Sequence, residues 1–184
     1  PELGHLSLIL ALCMALPLAI IPMLGAARGN LLWMAFARPL VWGQFAFLLT
    51  SFACLAYAFL SDDFSVAYVA QNSNSEMPVQ YKFSAVWGAH EGSLLLWALI
   101  LSGWTFAVSL FSRNLPDELV ARVLAVMGMI SIGFLLFLLL TSNPFLRLLP
   151  NSPLDGSDFN PLLQDLGLIL HPPLPYTVYV GFSV

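Results

Sequence analysis

Residues 119–140 read LVARVLAVMGMISIGFLLFLLL, and after Arg122 the next eighteen positions, Val123 to Leu140, carry no charge. A helix crossing a bilayer needs roughly 20 apolar residues, and this stretch is that length. Three others match it: Leu3 to Gly25, Pro39 to Leu60 and Gly92 to Phe111. A fifth apolar segment begins near Pro172 and runs to Val184. Its residues cover only about 20 Å at 1.5 Å each, too little to span. The chain therefore reads as an all-α polytopic membrane bundle with four full spans and the start of a fifth. Residues 1–184 form one unit, expected to be a piece of a larger membrane domain.

Composition supports lipid as the solvent. Of the 184 residues, 59% are hydrophobic and 9% charged, against about 25% charged in a soluble domain. Six Lys plus Arg cannot build a phosphate-tracking stripe, which excludes a nucleic-acid partner. Cys13 and Cys54 lie in apolar runs without CxxC spacing and read as small core residues. The first segment opens without a basic region and reads as a span, not a cleavable leader. Pro17 and Pro22 fall inside it, where each removes a helix hydrogen bond; membrane helices tolerate this when neighbours repair the freed carbonyl.

The connections alternate in charge. Arg28 and Arg38 flank the first, and Arg113 and Arg122 the third. The two long connections, about 61–91 and 143–171, carry only Lys82 and Arg147 among several carboxylates. Lys and Arg gather on the cytoplasmic side, so the N-terminus and both long loops are expected outside. His5, His90 and His171 then all lie at outer ends of spans. No Asp, Glu, Lys or Arg falls centrally in any span, which argues against an ion or proton transporter. A structural helix bundle without ligands remains the alternative.

The outer loops hold the candidate chemistry. Phe64 to Val69 and Val79 to Phe83 alternate loosely around the turn-forming Gln71 to Ser75, the pattern of a small hairpin. Next comes Val86-Trp87-Gly88-Ala89-His90-Glu91-Gly92-Ser93. An ionisable pair at the mouth of a span must be wet or paired, and flanking glycines let a backbone or flat ligand come close. The plainer account is a helix N-terminus, with Glu91 favoured by the dipole. In the second loop, Pro172 pushes His171 out of helical conformation, while Pro172, Pro173 and Pro175 fit a first helical turn. A fixed neutral imidazole there is what haem iron takes as an axial ligand; a rim histidine with a water partner is the alternative.

Val86 to Trp97 resembles a signature of the CcmF/NrfE family of cytochrome c-type biogenesis proteins, haem lyase subunits of the haem-handling superfamily. Further collinear matches are Asp63 to Ala70, Gly103 to Val108, Thr141 to Phe145, Asn160 to Asp165 and His171 to Leu174. The resemblance implies a multi-pass protein of the bacterial inner membrane, working on its periplasmic face. Such proteins take haem from a CcmE-like chaperone and help attach it to apocytochrome c, presented by a CcmH-like thiol protein, through thioether bonds. It implies His171 as one axial ligand of the incoming b-type haem. It also implies a haem or partner surface at His90, Glu91 and Trp87. The second ligand, the tryptophan-rich motif and a structural b-haem are expected in the rest of such a protein. This sequence departs from the pattern at Pro175, Thr177 and Val178, where the family has leucine, methionine and glycine; His171 is retained.

Overall fold

The structure, a computed structural model, describes residues 1–157, 167 and 173–182. The elements are α1 (Glu2–Arg28), α2 (Leu31–Ala35), α3 (Ala37–Leu60), α4 (Ala67–Asn72), α5 (Val79–Ala85), α6 (His90–Phe111), α7 (Asp117–Leu140) and α8 (Pro173–Phe182). Four helical stretches are long and apolar enough to cross a membrane: α1, α2 with α3 taken together, α6 and α7. α1 runs unbroken through Pro17 and Pro22. Gly29 ends it at φ 64, a left-handed conformation that suits glycine. Asn30 then caps α2, its Oδ1 accepting from the amides of Leu32 at 3.1 Å and Trp33 at 3.3 Å.

The four long helices close a ring in which α1 packs on α3 and α7, α3 on α6, and α6 on α7. Each neighbour is antiparallel. α1 supplies the tightest face. Its buried positions include Gly4, Ser7, Ala11, Ala15 and Ala19, small residues three or four apart, and further along Gly25; such residues let backbones approach closely. Across from it, a Cβ on Gly128 of α7 would meet Leu18 Cγ at 3.0 Å and the Ala19 amide at 3.2 Å. Outward faces stay apolar, with Leu16, Ile20, Leu49 and Ile130 exposed, as lipid contact requires. Cys13 is exposed and Cys54 half-buried, both free, so Cys13 belongs to the outward face and not to the core.

The expected hairpin does not form. Residues 67–72 and 79–85 are helical, and a lone antiparallel bridge joins Val66 to Arg147. The reason is burial. Val66, Ala67, Tyr68, Val69 and Ala70 are all buried, and a helical turn can press consecutive residues onto the end of the bundle where a strand would turn every second one away. In α5 the pattern inverts: Phe83 and Val79 are exposed while Lys82 is 6% exposed. Lys82 Nζ donates to both carboxylate oxygens of Asp62, at 2.7 and 2.6 Å, and to the Ser75 carbonyl at 3.3 Å.

These segments form a lid continuous with the bundle. Leu8, Leu55, Phe59 and Leu138 share one core with Val66, Tyr68, Val69 and Val86. Residues 65–67 pair with 146–148 through Ala67 N to Leu146 O and Leu148 N to Ser65 O, both 2.8 Å. The Arg147 guanidinium bonds Glu2 of α1 at 2.6 Å, Asp63 at 3.3 Å and the Ser65 hydroxyl. Asp155 accepts from the Ser75 amide and hydroxyl, at 2.9 and 2.8 Å, and from the Gly156 amide. Those bonds, that of the Ser75 amide foremost, hold the Asp155 carboxyl below the usual carboxylate range.

Replacing Lys82 by Met leaves Asp62 without its partner and the Ser75 carbonyl unbonded, and should cost about 1–3 kcal/mol. Thermal unfolding in detergent reads this, and a wild-type midpoint would refute the lid's dependence on the pair. The Asp155 clamp has the opposite test, of charge and not of contact. Its folded pKa is depressed, so its contribution is complete above the ordinary carboxylate range near pH 4 and is lost as pH falls through the folded value. The unfolding-temperature gap between wild type and Asp155→Asn should therefore be open at pH 7 and shrink progressively as pH falls below about 4.

Candidate functional site

The segment between α5 and α6 is organised by one hydroxyl. Tyr68, 3% exposed, accepts from the Ala89 amide at 3.2 Å and donates to the Val86 carbonyl at 3.1 Å. Both groups belong to a non-helical stretch packed under the lid, where unpaired backbone would be costly. Burial foremost pushes the Tyr68 phenol up, and the Glu91 carboxylate adds to this against the Ala89 bond, so it stays protonated. The next turn must fit beneath. A Cβ on Gly92 would lie 1.7 Å from the Val86 carbonyl oxygen and 2.5 Å from Tyr68 Oη. Ser93 Oγ donates to the Trp87 carbonyl at 2.7 Å, tying the first turn of α6 to the segment that precedes it.

This geometry delivers His90 to the surface as the first residue of α6, after the extended Ala89. Neither His90 nor Glu91 forms a side-chain cap. Instead, His90 Nδ1 lies 3.0 Å from Ser142 Oγ, in the turn after α7, and its ring meets Phe137 edge-on at 5.9 Å. Nε2 has no partner among the described residues. One nitrogen fixed by a hydroxyl and the other open is the arrangement of an imidazole ready to bind.

His90 lines a groove of about 280 Å³ with Ser93, Leu94, Trp97, Phe134 and Tyr176. Trp97 stands 5.4 Å from Phe134 and 5.5 Å from Tyr176, so α6, α7 and α8 each give an aromatic wall. α8 is held on α6 by Trp104 Nε1 donating to the Thr177 carbonyl at 3.2 Å. Pro173 and Pro175 lie in the first turn of α8, as expected.

Of the sequence candidates among the described residues, the structure brings only His90 to this groove. Glu91 is half-buried near Tyr68. Trp87 packs edge-on against Phe83 at 5.2 Å. His171 lies outside the described residues. His5 shares His90's end of the bundle, its Nδ1 3.3 Å from Asn143 Nδ2. The adjacent residues Ser142 and Asn143 thus touch both histidines. No group of three or more metal-ligating side chains occurs among the described residues. Tyr68, Ser142, Phe134 and Tyr176 were missed; Tyr68 and Ser142 lie within two of the stretches that carry the family resemblance.

A family model described as "Cytochrome C assembly protein" matches residues 87–184, starting at Trp87. The chain is 72% identical to the cytochrome c-type biogenesis protein CcmF of Pseudomonas aeruginosa and 58% identical to that of Escherichia coli, matching all of this chain and 28% of each relative. It is 45% identical to NrfE of Haemophilus influenzae, covering 29% of that protein. A solved structure titled "Cytochrome c Heme Lyase CcmF" aligns over the whole chain, at TM-score 0.85 and 31% identity, and over 28% of its own length. The chain thus spans between a quarter and a third of the relatives it matches.

The packing under Tyr68 makes a sharp contrast between two glycines. Gly92→Ala should destabilise by more than about 3 kcal/mol, because backbone and not a flexible side chain blocks the new methyl. Gly133→Ala in α7, with nothing within 4 Å, should be neutral or stabilising by up to about 1 kcal/mol. Equal unfolding temperatures for the two variants in detergent would contradict the close approach.

Proposed function

Because this chain belongs to the CcmF/NrfE family of cytochrome c biogenesis proteins, we propose that it forms part of the haem-contacting face of a haem lyase. On this proposal haem is the substrate. It arrives from a CcmE-like chaperone and is joined to apocytochrome c held by a CcmH-like thiol protein. The histidine-bearing end faces the periplasm of a bacterial inner membrane. The charge count supports that direction, since Arg28, Arg38, Arg113 and Arg122 lie at the other end. Lys82 and Arg147, at the histidine end, are both neutralised by carboxylates.

The observation that carries the proposal is the aromatic groove with His90 at its rim and α8 as one wall. Its lining of Leu94, Trp97, Phe134 and Tyr176 has the chemistry of a porphyrin edge. At about 280 Å³ it lies just under the roughly 300–1,000 Å³ of small-molecule pockets. It would cover an edge of the macrocycle and leave the rest to other surfaces. His171 precedes α8 by two positions in sequence, and we assign it the axial ligand role. Its imidazole would hold iron while Pro172 restricts its backbone. His90, with Nδ1 fixed by Ser142, offers Nε2 to haem or to a partner; Glu91 and Trp87 flank that surface.

The chemistry asks mainly for placement. Thioether formation adds a thiol S–H across a vinyl C=C, with no leaving group to expel. Holding porphyrin and peptide in register removes an entropic cost of several kcal/mol. No nucleophile or general acid in the groove is required for that.

Absorption spectroscopy tests the ligand assignment in the full protein, purified from cells that express the chaperone. His171→Ala should lose the chaperone-delivered haem band at unchanged protein level and stop cytochrome c assembly. His90→Ala should weaken that band without abolishing it. An unaltered spectrum with normal assembly in His171→Ala would remove the ligand role.

A further inference from the structure

The end of the bundle opposite His5 and His90 holds four arginines and two carboxylates. Their engagement is uneven. Arg122 pairs with Glu118 one turn away, and Arg28 lies over the Trp33 ring at 5.4 Å. Lys82 and Arg147, at the other end, are paired with carboxylates. Of the six basic residues, only Arg38 and Arg113 have no carboxylate or aromatic partner among the described residues.

Those two flank one groove. It measures about 310 Å³, runs between α3 and α6, and is lined by Arg38, Pro39, Trp42, Ser109, Leu110 and Arg113. Its polar rim and apolar wall come from different parts of these residues. Trp42 is 49% exposed, yet its indole N–H is already spent on Ser109 Oγ at 3.2 Å, and Ser109 Oγ donates in turn to the Phe106 carbonyl at 2.7 Å. Phe106 supports the Trp42 ring at 5.8 Å and stacks on Phe45 at 4.9 Å. What the groove offers a ligand is therefore an apolar wall along the span and two guanidinium groups at its end.

Helix ends account for one arginine and not the other. Arg113 follows the C-terminus of α6, where the dipole favours a cation. Arg38 sits in the first turn of α3, where the dipole disfavours one. Asp117 shares a second groove with Arg38, but no ion pair joins them among the described residues. The groove on the Arg113 side brings two cations together and has no carboxylate among its described lining residues.

We propose that this groove binds an anionic phospholipid, its phosphate between Arg38 and Arg113 and an acyl chain along Trp42 and Leu110. Two basic residues beside an apolar groove at the bilayer edge match the charge and the amphipathic shape of such a lipid. The guanidinium fork suits phosphate oxygens better than a point charge would. The site is independent of the haem proposal and lies at the other end of the spans.

Native mass spectrometry of the full protein, released from mild detergent, tests it with phosphatidylglycerol and phosphatidylcholine of identical acyl chains. Wild type should retain phosphatidylglycerol about tenfold better, given the attraction of two basic residues to an anionic headgroup. Arg38→Gln with Arg113→Gln should bring the two lipids to within about twofold of each other on the same scale. Arg38→Lys with Arg113→Lys keeps the charge and should keep most of the preference. If the double Gln variant fails to purify, the single Arg113→Gln variant, altered at an exposed position, should lose part of the preference. Equal retention of both lipids by wild type, or an undiminished preference in the Gln variants, would overturn the proposal. Displacement of phosphatidylglycerol by soluble glycerol phosphate would also overturn it, by marking a free-phosphate site.

Discussion

The face of α1 that carries Gly4, Ala11, Ala15, Ala19 and Gly25 sets the geometry of everything else. Between helices in lipid there is little hydrophobic driving force, so close van der Waals packing must hold them. Small residues on α1 let α3 and α7 approach from two sides, and α6 closes the ring. That closure fixes the distance between the helix ends near His5 and His90. The lid of α4, α5 and residues 146–148 can then seat its apolar residues in the same core as Leu55, Phe59 and Leu138.

The lid solves a hydrogen-bonding problem as well as covering the bundle. Non-helical backbone near the membrane survives only where protein satisfies it. Tyr68 does this for the stretch before α6, bonding one amide and one carbonyl with a single hydroxyl. The same constraint demands glycine at position 92 and starts α6 at His90. Placement of His90 thus depends on a phenol twenty-two positions earlier in the chain, held against Phe59 at 5.4 Å.

The spanning helices were legible in the sequence because lipid imposes a simple requirement of length and apolarity, met by Leu3 to Gly25 and its three counterparts to within a few residues. The lid was not. Alternation at Phe64 to Val69 suggested a strand, but alternation reports one buried face, and these residues are buried together on top of a bundle. At α5 the apolar Phe83 faces out and the charged Lys82 faces in, because Asp62 waits beneath it. Ion pairing between residues far apart leaves no local periodicity to detect. For the site, His90 stood out as an ionisable residue between glycines. Ser142, Phe134 and Tyr176 did not, because a serine or an aromatic in an apolar protein gains meaning only from what stands across from it.

Consecutive residues, Ser142 and Asn143, hold the two imidazoles of His90 and His5. A peptide unit is stiff, and neighbouring Cα atoms keep a fixed separation. The turn after α7 therefore acts as a yoke, with the heads of α1 and α6 harnessed to its two arms. Both rings are thereby anchored to one turn at the same end of the bundle.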